Sequence, residues 1–411
     1  MISFEPTDEE KAIREEVRKL ADKELRARAR ECEKAHDIPD ALRRTYHELG
    51  LAVLDLPESC GGAGLGAVTR AIVEEELAFG DGGLAFGLGA SLFASYAVLE
   101  LGDDAQRKAL IPRLSDPGAP ARRGTLAIAE GDLGAELLDR LKTRAERARE
   151  GGYEISGAKL FVPDAHAAEV FIVLARGEGG PESTGALKGF VVERGAPGLS
   201  VGREDDRQGL NAVRSFAVDL ASVRVPEAAA LAGGDAPDAA LRRLLARIWI
   251  VNAARQVGIA RACLEYASYY AQERSAFGQR IGQFQSIAFK VADMAMDVDS
   301  ARWLTWRAAW ELDKGRETAA RSAALAGVHA NDAACRAGIE AVQILGGAGF
   351  MEDYPVEKWY RDARSLAAVG GVDTLRNHFL ADTAYGPLGE AGGAGPDPSS
   401  AFAAFGQAFG G

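Results

Sequence analysis

Cysteine is scarce: 411 residues contain four, Cys32, Cys60, Cys263 and Cys335, all far apart. None shows paired metal-ligand spacing, and a disulfide scaffold is not expected in a chain this long, so a reducing cytoplasm is the expected location. The five histidines, His36, His47, His166, His329 and His378, have neither ligand spacing nor a nucleophile beside them, and no metal is implied. No apolar run approaches the roughly 20 residues needed to span lipid. The N-terminal MISFEPTDEEKAIREEVRKL is acidic and lacks the apolar core of a secretory signal. Positive charge is in deficit, 48 Lys+Arg against 60 Asp+Glu, giving a net charge of −12 and arguing against a general nucleic-acid partner. What remains is an ordinary globular balance of 47% apolar and 26% charged residues, in a chain long enough for two or three domains.

Texture changes twice along the chain. Residues 7–34 open with Thr7 and Glu10 at capping-box spacing and continue with Ile13, Val17, Leu20 and Ala21 at helical spacing. Gly61-Gly62-Ala63-Gly64 interrupts, and helical segments return over 67–77 and 84–101. After Pro112, Pro117 and Pro120 the period shortens. GTLAIA, YEISGAKLFV, EVFIVLA, LKGFVVE and SFAVDLASVRV read as strands of one β-domain. Beyond Pro226, long helical stretches follow, through LRRLLARIWIVNAARQVGIARACLEYASYYAQE, then 283–313 and 317–345, and these are expected to pack as a bundle. The expected organisation is a helical N-terminal domain (1–120), a central β-domain (121–235), a C-terminal helical bundle (236–385) and a flexible tail (386–411) rich in Gly, Pro and Ser. Within that tail Phe402, Phe405 and Phe409 offer a weak docking segment as the alternative to plain disorder.

Three motifs narrow the reading. ERSAFGQRIGQFQSIAFKVADMAMDVDSAR (273–302), AVQILGGAGF (341–350) and YRDAR (360–364), with YEISGAKLFV in the middle, resemble the acyl-CoA dehydrogenase flavoprotein family. The likeness runs over residues 5–385. It implies a mainly α fold, with a helical N-domain, a barrel-like β-domain and a C-terminal four-helix bundle enclosing FAD and a fatty-acyl thioester, assembled as a tetramer of two dimers. It makes Arg274 a ligand of the FAD pyrophosphate, with Phe277 beside the dinucleotide and Gln285 in the same region. Gln343, Gly346 and Gly347 would reach the cofactor from a neighbouring subunit. A guanidinium fork suits phosphate oxygens, and adjacent glycines let backbone amides approach an anion closely. The plainer alternatives are a surface ion pair of Arg274 with Glu273, a simple interhelical turn at Gly346-Gly347, and a helix-capping Gln343.

The central β-domain departs from the family pattern. Where members carry Thr-Glu-Pro-Gly-Ala-Gly-Ser-Asp, residues 129–136 read AEGDLGAE, and the spacing to KTRAE is one residue longer. Glu130 remains, but Ala129 and Ala135 replace hydroxyls, a loss of about 1 kcal/mol per hydrogen bond. The family's Trp-Ile-Thr-Asn appears as Phe161-Val162-Pro163-Asp164: Phe161 keeps an aromatic face for the isoalloxazine, or serves as a core residue, while Pro163 offers no donor.

Dehydrogenation beside a thioester requires a base to take the α-proton. The family places its glutamate shortly after Arg-Asp-Ala-Lys; here Arg361-Asp362-Ala363-Arg364 leads to Val369-Gly370-Gly371-Val372, and Gly370 holds the base position. Some members carry the glutamate on the helix preceding RxxFG, where this chain has Ile248 next to Trp249. The catalytic residue is therefore unknown, and three explanations stand open. Another carboxylate, such as Asp373, reaches the substrate; the thioester chemistry needs no α-proton abstraction; or the chain is a non-catalytic partner in a mixed complex. Asp362 and Arg361 read as structural ion pairs, Cys263 and Cys335 as core residues, and His166 draws notice only because it follows the flavin-facing segment. The resemblance implies an FAD-dependent oxidoreductase acting on acyl-CoA or another acyl thioester in lipid metabolism, passing electrons to an electron-transfer flavoprotein. It would work as a homo-oligomer or with a related second subunit, with no nucleic acid and no membrane span.

Overall fold

The computed structural model describes residues 5–115, 123–131, 141–177, 187–233, 237–369 and 373–385. Ala135, Gly370 and the tail beyond 385 lie outside the described residues, as do the side chains of Asp373 and His378.

Helix α1 (Asp8–Leu20) begins at the predicted capping box: Thr7 Oγ1 accepts from Glu10 N at 3.2 Å, and Glu10 Oε2 accepts from Thr7 N at 2.7 Å. A π-helical turn (Ala21–Leu25) joins it to α2 (Arg26–Ala35), and α3 (Asp40–Glu48) follows. Helix α4 (Gly66–Gly80) is buried over nearly its whole length. The run expected as one helix over 84–101 is two, α5 (Gly82–Leu88) and α6 (Leu92–Leu101), broken at Gly89. A second capping box, Asp103 with Gln106, starts α7 (Asp104–Leu114).

The middle of the chain forms a seven-stranded sheet in the order β1-β4-β2-β3-β7-β6, with β5 also paired to β4. The strands are β1 (Arg123–Ala127), β2 (Arg144–Arg147), β3 (Tyr153–Pro163), β4 (Ala168–Arg176), β5 (Leu187–Glu193), β6 (Leu199–Glu204) and β7 (Ser215–Val225). Val170 to Ala175 of β4 are buried without alternation, because this strand is covered on both faces. Strands β2 and β6 were not predicted. RAER and LSVGRE are polar and half-exposed, and their strand conformation comes from pairing with β3 and β7.

Helices α8 (Pro237–Glu273), α9 (Gln285–Asp313) and α10 (Ala319–Leu345) form the bundle, completed by α11 (Val356–Leu366) and α12 (Asp373–Tyr385). Helix α10 packs on α8, and its buried residues are mostly small, including Ala323, Ala326, Ala330 and Ala334; Gly327 makes room for Arg376 of α12, 2.9 Å from where a Cβ would lie. The charges buried on α4 are matched from α8 and α9. Glu74 accepts from Arg255 at 2.7 Å, Glu75 from Arg261 at 2.6 Å and from Arg302 at 3.0 Å, and Glu76 from Arg261 at 2.7 Å. Among the described residues no single helix is long and apolar enough to cross a membrane.

Candidate active site

Arg274 follows the last turn of α8 and leads into a hairpin of β8 (Ser275–Ala276) and β9 (Gln279–Arg280). The two-residue loop, Phe277-Gly278, has positive φ at both positions, 53° and 84°. That combination matches the right-handed twist of a tight hairpin, but it is a costly conformation for a phenylalanine. Phe277 is 95% exposed, and its ring stands edge-to-face with Phe284 at a centroid distance of 6.4 Å. The Arg274 side chain is exposed, and no ion pair holds it among the described residues. Glu273, its expected competitor, pairs instead with Arg280 at 3.4 Å. The simple surface-pair reading of Arg274 therefore loses its partner.

The second group of motif residues closes α10. Gln343 is exposed in its last turn, and Gly346 ends the helix at φ 59°, ψ −129°, a conformation reserved for glycine. A Cβ at Gly346 or Gly347 would meet no atom within 4 Å, so packing within the chain does not demand these glycines. Gln285 is exposed at the first turn of α9. Two contacts bring all of these residues to one end of the bundle: Lys290 of α9 pairs with Glu340 of α10, and Tyr270 of α8 meets Tyr354 at 6.4 Å. Phe350, 70% exposed, stands at the same end. Unpaired guanidinium, bare glycine backbone and exposed aromatic rings together suit a dinucleotide, with phosphate on the polar groups and flat rings on the apolar ones.

Phe161 sits on a bulge of β3 opposite β7, at φ 53° and 58% exposed, so it is not the core residue that the plainer reading offered. Glu130, the carboxylate kept from the family segment, faces inward. It accepts from Lys159 Nζ at 2.8 Å, Thr143 N at 3.0 Å and Thr143 Oγ1 at 2.5 Å. Burial alone would raise its pKa, but Lys159 and the surrounding donors hold it below the usual range. Burial pushes Lys159 down to about 8, against the pull of Glu130. This cluster anchors the stem on which Phe161 is displayed.

The alternate base position on α8 carries no carboxylate. Ile248 and Trp249 are buried in α8, with Trp249 edge-on to Phe379 of α12 at 5.7 Å. Carbonyls at the end of α11 and beyond accept from side chains: Ala363 O from Gln256 at 2.9 Å, and Val369 O from Asn252 at 3.1 Å and Arg376 at 3.3 Å. The donors are amides and a guanidinium. Two of the donors, Asn252 and Gln256, are inconspicuous in the sequence because they lie inside an otherwise apolar helical run; polar residues at core positions are the signal that marks them.

Asp362 and Arg361 are structural, as expected. Asp362 accepts from Lys358 Nζ and from Leu210 N, both at 2.6 Å, and Arg361 pairs with Glu33 at 2.6 Å and Glu357 at 2.8 Å. His166 leans on Phe216 at 5.1 Å. All four cysteines are buried and none is in a disulfide, and burial drives the Cys263 thiol far above its ordinary pKa.

Against known proteins, the chain matches the acyl-CoA dehydrogenase N-terminal domain over residues 7–116, the middle domain over 125–223 and the C-terminal domain over 238–384. It is 33% identical over 383 residues to benzylmalonyl-CoA dehydrogenase of Aromatoleum aromaticum, covering 92% of this chain and 99% of that one. Among solved structures, butyryl-CoA dehydrogenase from Megasphaera elsdenii superposes with a TM-score of 0.85 at 28% identity, over 93% of this chain and all (100%) of the other. A glutaryl-coenzyme A dehydrogenase in complex with glutaryl-CoA gives 0.86 at 28% identity, over 96% and 100%. The chain belongs to the acyl-CoA dehydrogenase family of FAD-dependent flavoproteins.

Proposed function

We propose that the chain is an FAD-dependent oxidoreductase of acyl-CoA thioesters that lacks the ordinary carboxylate base and is therefore slow at α,β-dehydrogenation on its own. The observation that carries the cofactor assignment is the unpaired Arg274 beside a 95% exposed Phe277 in a left-handed turn. Arg274 holds the pyrophosphate and Phe277 covers the dinucleotide, with Gln285 at the edge of the same region. Gln343, Gly346 and Gly347 of a second copy complete the site, and Phe161 packs on the isoalloxazine. Bound FAD supplies an acceptor for the hydride leaving the substrate β-carbon. The protein's own part is to align the thioester along α8 and to exclude water with Trp249 and Phe379.

What the chain does not supply is a carboxylate at Ile248, and Gly370 has no side chain to act. A related second subunit carrying the base is the second reading; what favours it is that the side chains of Asn252 and Arg376, which reach Val369 O beside the base position, come to it as donors. Assembly through α9 fits either reading. Phe289, Met296, Trp303 and Trp310 recur every seven residues as an exposed apolar stripe, the pattern of a helix face that packs on another helix. The proposed assembly is a tetramer in the cytoplasm, handing electrons to an electron-transfer flavoprotein in lipid metabolism. The test is reconstitution: near one FAD per chain, bound more weakly in Arg274→Ala, supports the site. No flavin binding in homomeric or partner-containing samples refutes it.

A further inference from the structure

Arg255 stands in the middle of α8 with its side chain wholly buried. Its Nε donates to Glu74 at 2.7 Å, yet Nη1 and Nη2 have no hydrogen-bond partner among the described residues. Arg70, equally buried and sharing Glu74 at 3.3 Å, has all three nitrogens engaged, through Asp55 at 2.8 Å, Glu74 and Leu51 O at 2.7 Å. Two guanidinium groups thus lean on one carboxylate, and Arg255 is the one left with an open fork. Buried charged donors are rarely left unmatched, because each keeps its full desolvation cost.

The surroundings of the fork are shaped for it. The rings of Phe86 and Phe93 flank the guanidinium, 5.7 and 5.6 Å from its carbon. Gly89 faces it at the break between α5 and α6, and a Cβ there would lie 2.3 Å from Nη2. The glycine that splits the expected helix is therefore the residue that admits the guanidinium. Asn252, one turn earlier on the same face of α8, donates to Val369 O, next to the family's base position at Gly370. Arg255 accordingly lies about one helical turn along α8 from the reacting end of the proposed thioester site.

We propose that Arg255 receives a second carboxylate carried on the acyl chain of the substrate, so that the preferred substrates are carboxyacyl-CoA thioesters. Two parallel N–H donors match the two oxygens of a carboxylate, and the apolar walls strengthen that pairing while excluding the water that would compete. The inference rests on the thioester reading of the site given above.

The test uses the FAD-loaded, unmodified protein and calorimetric binding of succinyl-, glutaryl- and adipoyl-CoA against butyryl-, pentanoyl- and hexanoyl-CoA. At one chain length or more, the carboxylated thioester should bind tighter by on the order of tenfold to a hundredfold, the yield of charge-assisted hydrogen bonds. Arg255→Met should collapse that difference, and Gly89→Leu, which crowds the fork, should reduce it. Equal or tighter binding of the uncharged partner at every length would overturn the inference while leaving the thioester reading intact. Failure of both series to bind would overturn both.

Discussion

Lys358 joins three parts of the molecule, and replacing it by methionine gives the sharpest stability prediction. Its ammonium lies 2.6 Å from Asp81 and 2.6 Å from Asp362, all three side chains being buried. Asp81 also caps α5 by accepting from Leu84 N at 2.9 Å, and Asp362 accepts from Leu210 N in the segment between β6 and β7. Methionine keeps the apolar stem but leaves two carboxylates facing one another without a counter-charge. Breaking a buried pair from one side costs about 3–5 kcal/mol, a large share of the roughly 5–15 kcal/mol that holds a typical domain. The deficit should depend on pH. Burial already raises the Asp81 pKa, with Lys358 pulling it back and Asp362 adding to the rise; removing Lys358 raises it further. The folded variant then holds protons that the unfolded chain has released, so its stability rises as pH falls toward the unfolded carboxylate pKa near ~4. Urea unfolding of FAD-free protein, followed by tryptophan fluorescence at pH 8, 7, 6 and 5, reads this directly. A loss below about 1 kcal/mol at pH 8, or a deficit that grows on acidification, would refute the reasoning.

Three further outcomes are expected. Arg274→Ala should weaken FAD binding by roughly 1.5–3 kcal/mol in fluorescence titration, and unchanged affinity would remove that contact from the site. Gly346→Val, forced into a glycine-only conformation at φ 59° and ψ −129°, should lower FAD occupancy measured by absorbance; full occupancy would show that the turn tolerates a side chain. Cys263 should resist alkylation in native protein at pH 8 and react after unfolding, as mass spectrometry would record, because burial keeps its thiol protonated.

The sequence announced its long helices and most strands because their signals are local: the Thr7–Glu10 box, the unbroken apolar run of β4, the long periodic stretches of α8 to α10; the break between α5 and α6 at Gly89 was not among them. It concealed β2 and β6, whose conformation is imposed by partners remote in the chain. The flavin motifs were legible as residue types, but not the features that free them for a ligand. That Glu273 turns to Arg280, and that Phe161 and Phe277 occupy left-handed backbone positions, depends on hairpin and bulge geometry. Arg255 was illegible for another reason. A charged residue in an apolar helix signals only that some partner exists, and its satisfied and open nitrogens emerge only when Glu74, Phe86 and Gly89 converge on it.

The central claim is that this family member binds flavin and thioester without its own base for α-proton removal. Anaerobic stopped-flow mixing of the FAD-loaded chain with acyl-CoA and carboxyacyl-CoA thioesters tests it most directly, with flavin absorbance followed and products identified by mass. The account predicts thioester binding with little or no rapid flavin bleaching by the isolated chain, and acquired bleaching in Gly370→Glu. Rapid bleaching by the unmodified chain, with an α,β-unsaturated thioester as product, would contradict it.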